Sequence, residues 1–266
     1  MSDALAPIIT AKRHYVVQRK LRYSFGDIEN RAIAAPSARS FADALRDTWR
    51  TGRHALIAEM KRKSPSGGEI RPGFDPAAVA RDYRAGGATC LSILTDTPYF
   101  GGKDEDVAAA RSTVLMPALR KDFMVDPYQI AESRALGADC ILLIVAALSD
   151  TELADLAAET KRYGMDCLVE VHDESELDRA LALDDWVMLG INNRNLKTLT
   201  TDLATFERLA SRVPQGRLLV AESGLKTKGD LDRMAAAGAL GFLVGESLLR
   251  QPDLVAATRA LLEGSL

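Results

Sequence analysis

The stretch Ile57-Ala-Glu-Met-Lys-Arg-Lys-Ser-Pro-Ser-Gly-Gly68 begins as an apolar run and ends in small residues. On a strand, Glu59 and Lys61 point to the same face. The Ser/Gly loop behind them lets backbone N–H groups approach an anion closely. Proton transfer beside an anion site is the chemistry this spacing offers, although taken alone the segment also reads as a surface ion pair and a turn. Glu170 lies inside the apolar run Leu168-Val-Glu-Val171. A buried carboxylate there needs a partner or a changed pKa. Lys121 follows the apolar run Leu115–Leu119, and Asn192-Asn193-Arg194 follows another. Glu222-Ser223-Gly224 and Gly245-Glu246-Ser247 offer glycine-bearing loops that suit phosphate.

These residues need a frame. From residue 54 onward, short β-rich runs alternate with helical patterns. The runs are Ala55–Glu59, Cys90–Leu94, Met116–Leu119, Cys140–Ile144, Cys167–Val171, Val187–Ile191, Leu218–Glu222 and Gly241–Val244. Helix starts are read at Asp75-Pro76, Asp126-Pro127, Asp150, Ser175 and Asp202, and glycines such as Gly87 and Gly238 mark helix ends. Strand–helix alternation predicts a parallel sheet. Eight units fit a closed (β/α)8 TIM barrel. An open doubly wound sheet is the alternative, but no GxGxxG follows the first strand. Residues 1–53 read as an N-terminal helical extension covering the barrel, with helices at Leu5–Arg19 and Phe41–Arg50, so 1–266 is expected to be one barrel domain.

In such barrels chemistry sits at the C-terminal strand ends. Reading only those ends brings together Glu59, Lys61, Lys121, Glu170, His172, Asn192, Arg194, Glu222 and the loops at Ser223-Gly224 and Gly245-Glu246, with Ser64 adding a hydroxyl. A lysine donates protons well when burial and neighbouring cations lower its pKa. A glutamate donates well when its pKa is raised.

The chain has 266 residues, 47% hydrophobic and 27% charged, with a formal net charge of −3. That balance gives no electrostatic case for nucleic acid. The unbroken aliphatic run Ile141–Leu148 is too short to span a bilayer. With no signal-peptide pattern near Asp3, a cytoplasmic protein is expected, and the basic stretch Lys12–Arg22 reads as a solvated helix face. Cys90, Cys140 and Cys167 each begin an apolar run and read as small buried thiols. With only His14, His54 and His172, and no HExxH, no metal is expected.

Ile57–Ser66, Leu119-Arg-Lys-Asp-Phe-Met124, Leu168-Val-Glu-Val-His-Asp-Glu174, Gly190-Ile-Asn-Asn-Arg-Asn-Leu196, Val220-Ala-Glu-Ser-Gly224 and Phe242-Leu-Val-Gly-Glu-Ser-Leu248 resemble, in order, the signatures of indole-3-glycerol phosphate synthases. The resemblance implies a (β/α)8 lyase of tryptophan biosynthesis. Its substrate would be 1-(2-carboxyphenylamino)-1-deoxyribulose 5-phosphate, and its products indole-3-glycerol phosphate, CO2 and water, with no cofactor. By position, Lys121 resembles the general acid of ring closure. Lys61 resembles the lysine near the substrate carboxylate, with Glu59 beside it, and Glu170 the acid/base of dehydration. Asn192, Arg194, Glu222 and Ser223 would line the substrate, with Phe100 against its aromatic ring. Ser64, Gly224, Gly245 and the N–H of Glu246 would hold the phosphate. A monomer or weak homo-oligomer is expected, with possible association with other enzymes of the pathway, and neither nucleic acid nor membrane as partner. Gly67 departs from the pattern, standing where many members carry lysine.

Rival readings are a Schiff-base aldolase using Lys121, the isomerase of the preceding step, and a non-catalytic sensor of a phosphorylated ligand. The isomerase resembles a Cys/Asp design, whereas the cysteines here start strands. A sensor has no need for Glu59, Lys61, Lys121 and Glu170 together.

Overall fold

The computed structural model describes residues 5–64 and 67–264. Eight strands form the frame: β1 (Ala55–Met60), β2 (Cys90–Leu94), β3 (Ala118–Lys121), β4 (Cys140–Ile144), β5 (Asp166–Val171), β6 (Met188–Asn192), β7 (Leu219–Glu222) and β8 (Gly241–Val244). Each pairs in parallel with its neighbours. β1 also joins β8, with Leu56 opposite Phe242, which closes a (β/α)8 barrel. The open-sheet alternative is thereby excluded. A hairpin of two-residue strands, Lys63–Ser64 and Gly68–Glu69, decorates the loop after β1.

Strands covered on both faces read as near-continuous apolar runs, and β1, β2 and β4 are buried at every position. Outer helices start where an acidic cap meets Pro: Asp75 Oδ1 accepts from Ala77 N–H, and Asp126 Oδ1 from Tyr128 N–H. The helix Pro76–Gly86 stops at Gly87, whose φ of 99° is one that side-chain-bearing residues avoid. Three starts differ from the sequence reading. Ser149, not Asp150, opens one helix through a capping box with Glu152, Asp173, not Ser175, caps the helix Glu174–Ala180, and Leu203, not Asp202, is the residue before the helix Ala204–Ala210.

Strand β3 runs two residues beyond the expected Met116–Leu119. Apolar patterning ends at Leu119, whereas Arg120 and Lys121 continue the ladder opposite Ile93 and Leu94. Their side chains leave on opposite faces and find partners there.

The extension has three helices. α1 (Leu5–Arg22) is longer than expected, and α3 (Phe41–Arg50) is as expected. α2 (Phe25–Ala34) lies between them and was not read from sequence. It contains Gly26 and buries only Ile28 and Ala32, so its periodic signal is thin, and Ser24 caps it by accepting from Asp27 N–H. α3 sits at the N-terminal end of the barrel, where Asp166 accepts from the N–H groups of Phe41 and Ala42 at 2.6 and 2.9 Å. α2 packs on the helix Pro127–Ala135. α1 reaches the opposite, C-terminal mouth.

The basic stretch on α1 is therefore only partly a solvated face. Lys12 is buried against Asp96 and Asp122, and Arg19 pairs with Glu132 at 2.6 Å. The buried stripe Leu5, Ile9, Lys12, Val16 follows helical spacing. All three cysteines are buried and unpaired. Among the described residues no helix is long and apolar enough to cross a membrane.

Candidate active site

A cavity of about 880 Å³ occupies the C-terminal mouth of the barrel. β1 supplies Glu59, and the loop after it Lys61 and Ser64. The short helix after β2 supplies Phe100, and β3 ends in Lys121. β5 supplies Glu170, β6 and its loop Asn192 and Arg194, and β7 Glu222 followed by Ser223 and Gly224. Gly245 and Glu246 follow β8. Residues far apart in sequence are neighbours here because the strands are in register: Glu170 lies opposite Gly190, and Asn192 opposite Glu222.

Lys121 is the centre of the charge cluster. Its Nζ lies 3.0 Å from Glu222 Oε2 and 3.2 Å from Glu170 Oε2. Burial would lower its pKa, but Glu222, Glu170 and Glu59 outweigh burial and hold it well above the ordinary lysine value. The expected lowering by neighbouring cations is thus reversed, because its neighbours are carboxylates. Lys61 pairs with Glu59 Oε1 at 2.7 Å. Burial pushes Glu59 up, and the charges of Lys61 and Lys121 bring it below the ordinary value.

The two carboxylates that share Lys121 differ. Burial pushes Glu170 up, but Lys121, His172 and Asn192 together hold it well below the carboxylate range. Asn192 Nδ2 donates to its Oε1 at 3.0 Å, and His172 Nε2 lies 3.0 Å from the same oxygen, as an ion pair off the line of a hydrogen bond. Glu222 has only Lys121 to set against burial and the charge of Glu170, so its pKa is raised. Its Oε1 is buried without a hydrogen-bond partner among the described residues. The raised carboxyl expected at Glu170 is therefore found at Glu222.

Two glycines make room for these acids. A Cβ on Gly190 would stand 2.2 Å from Glu222 Oε1, and one on Gly245 would stand 2.6 Å from Glu59 Oε1. The loops after β7 and β8, with Ser64, make up the expected anion side. Ser223 adopts a positive φ of 64°, rare for a residue with a side chain, and Gly224 follows at 83°. Ser64 Oγ accepts from Gly67 N–H at 3.0 Å. A Cβ on Gly67 would meet Ser64 Oγ, Glu246 Oε1 and Arg250 Nη2 each at 2.8 Å, so a side chain there requires these groups to shift. Arg250 donates to the Gly67 carbonyl and pairs with Glu246. Pro65 and Ser66 lie outside the described residues.

Two singled-out residues lie elsewhere. Asn193 is buried, donating to the Ser223 carbonyl and accepting from Phe206 N–H, which ties loops together. His172 lines a neighbouring cavity of about 260 Å³ with Glu176, whose Oε2 is 2.9 Å from Nδ1. Burial would lower its pKa, but Glu170 and Glu176 raise it to about 10. Sequence reasoning missed Leu5, Ile8, Phe123 and Arg250, all on the main cavity wall. Phe123 directly follows the Lys121-Asp122 pair and was within reach. The α1 residues carry no local signal, because only the long-range fold brings them there. Among the described residues no three His, Cys, Asp or Glu side chains group to hold a metal ion.

The family model of indole-3-glycerol phosphate synthase matches residues 5–261. The indole-3-glycerol phosphate synthase of Azospirillum brasilense is 59% identical over 262 residues, spanning 98% of this chain and 100% of that protein. That of Rhodospirillum rubrum is 56% identical with the same coverage. Among solved structures, KGPDC from Streptococcus mutans superposes with a TM-score of 0.58 at 15% identity, over 79% of this chain and 95% of that one. Thiamine phosphate pyrophosphorylase from Pyrococcus furiosus gives 0.56 at 16% identity, over 80% and 95%. At such identities these two bear on the barrel fold alone. The relatives covered end to end and the family match place this chain in the indole-3-glycerol phosphate synthase family.

Proposed function

We propose that the cavity converts 1-(2-carboxyphenylamino)-1-deoxyribulose 5-phosphate to indole-3-glycerol phosphate, CO2 and water, with the roles that follow. The observation that carries the reading is one lysine, Lys121, held between two carboxylates of opposite protonation preference. The aromatic carbon that bears the carboxylate attacks the ribulose carbonyl. Lys121 delivers a proton to the oxygen as the C–C bond forms. Although its resting pKa is high, neutralising one of the carboxylates on its Nζ lowers it, so the donor strength depends on the protonation of Glu170 and Glu222. Lys61, oriented by Glu59, holds the substrate carboxylate until it leaves as CO2 and aromaticity returns. Dehydration follows: the hydroxyl leaves as water with a proton from a carboxyl acid, and the adjoining carbon gives its proton to ionised Glu170.

Glu170 serves this step as acid/base. Its resting form is ionised, and Glu222 is the group that keeps a proton. Asn192 orients Glu170, and Arg194 and Ser223 border the substrate. Phe100 packs on the anthranilate ring. Ser64, Gly224, Gly245 and the N–H of Glu246 take the phosphate, where glycine allows close approach and backbone donors match phosphate oxygens. Residues 1–266 act as one barrel domain with its helical extension, as a cytoplasmic monomer or weak homo-oligomer able to associate with enzymes of the same pathway.

The roles separate in a Glu170→Gln variant given this substrate. CO2 should appear while indole fluorescence lags far behind. Loss of both signals together would move Glu170 to an earlier step.

A further inference from the structure

We propose that Lys12, on α1, is a positioning residue of the reaction: it holds the ends of β2 and β3 together and so sets the aromatic wall and the proton donor of the cavity. The proposal rests on the reading of Lys121 as general acid. Lys12 is 6% exposed, and its Nζ lies 2.8 Å from Asp96 Oδ1 and 2.7 Å from Asp122 Oδ1.

Each of these carboxylates has a second task. Asp96 caps the helix Thr97–Phe100, its Oδ2 accepting from Tyr99 N–H at 3.0 Å, and that helix presents Phe100. Asp122 Oδ1 accepts from Phe123 N–H at 2.7 Å, and its Oδ2 from Thr95 Oγ at 2.5 Å. The rings of Phe100 and Phe123 stand 6.3 Å apart and both face the cavity. Asp122 is covalently next to Lys121, and Thr95 N–H donates to the Lys121 carbonyl at 3.2 Å. One ammonium group therefore fixes two loops that carry the aromatic wall and the end of the strand that carries the acid.

A buried ion pair is a poor stability device, since apolar residues of like volume often serve as well or better. What the pair supplies here is geometry. Lys12 interrupts an otherwise apolar stripe of α1, and Leu5 and Ile8 of the same helix line the cavity. Displacements of about 1 Å at a reacting centre can lower turnover by about a hundredfold.

The test uses the full chain and follows indole-3-glycerol phosphate formation, product affinity by fluorescence titration, and the urea midpoint. Lys12→Met should lower kcat by about ten- to a hundredfold. Asp96→Asn keeps a capping oxygen for Tyr99 but breaks the ion pair. It should raise KM and weaken product affinity several-fold, with a smaller change in kcat. Arg13→Ala, which removes an exposed pair to Glu152 from the same helix, should leave kcat and KM unchanged. Folded Lys12→Met and Asp96→Asn proteins that both keep kcat, KM and product affinity within about twofold of the intact chain would overturn the proposal. Should Lys12→Met not fold, unchanged parameters in Asp96→Asn alone would overturn it. The unsubstituted chain is the separate control: no turnover there would sink the functional reading, and this proposal with it.

Discussion

Two groups of buried charges lie on opposite faces of β3, one residue apart in sequence, and they are finished to different degrees. Arg120 faces the outer helices. Its guanidinium donates to Thr95, Ser133, Asp104 and Glu132, and Arg19 and Lys12 close the cluster from α1. Lys121 faces the cavity, with two carboxyl groups on its Nζ and one of their oxygens, Glu222 Oε1, without a hydrogen-bond partner among the described residues. The outer cluster is closed and holds the wall. The inner one keeps unspent hydrogen-bonding capacity, which is what a site needs in order to respond to a substrate.

The contrast can be broken at several points. The largest effect is expected at Lys121→Ala, with kcat falling by about 10²- to 10⁴-fold and the urea midpoint falling too, because Glu170 and Glu222 lose their counter-ion. Arg120→Met should act on stability first. It strands Glu132 and Asp104, lowering stability by about 3–5 kcal/mol in urea unfolding. A substitution there that unfolded at the same midpoint as the intact chain would mean that the outer cluster is not structural. Gly190→Ala pushes a methyl group into Glu222 and should reduce stability by about 1–3 kcal/mol, with activity falling alongside.

The two acids should also part company. Glu222→Gln imitates a protonated carboxyl. Because the folded-state pKa of Glu222 is raised, its stabilising proton is fully present below the ordinary glutamate value and lost as pH rises. The variant should therefore match the intact chain at acid pH and exceed it in stability at alkaline pH. A variant less stable at every pH would contradict the assignment of the proton to Glu222. His172 is raised from 6.5 to about 10, so its contribution is full below 6.5 and fades as pH climbs through about 10. Stability curves of the intact chain and His172→Gln should converge over that window. The smallest effect is expected at Arg212→Ala, whose pair with Asp178 is exposed; it should change stability by less than about 1 kcal/mol and leave turnover alone.

Much of the site was legible because barrel chemistry gathers at strand ends, so Glu59, Glu170, Asn192 and Glu222 could be placed from strand position alone. The charged end of β3 was misread because apolar patterning stops at Leu119, while hydrogen bonding continues to Lys121. Lys12 was read as solvated because its partners, Asp96 and Asp122, lie in distant loops. The pKa directions of Lys121 and Glu170 were misjudged for a similar reason. They depend on which group stands nearest, and sequence does not give the distances among Lys121, Glu170, Glu222 and His172. Helix α2 was missed because two small contacts, Ile28 and Ala32, carry its packing.

The most direct test is indole fluorescence on mixing the purified chain with 1-(2-carboxyphenylamino)-1-deoxyribulose 5-phosphate, beside Lys121→Ala. A rise in the intact chain that is lost in the folded variant is expected. A rise kept in the variant would take the acid role from Lys121, and no rise in the intact, folded chain would contradict the reaction itself.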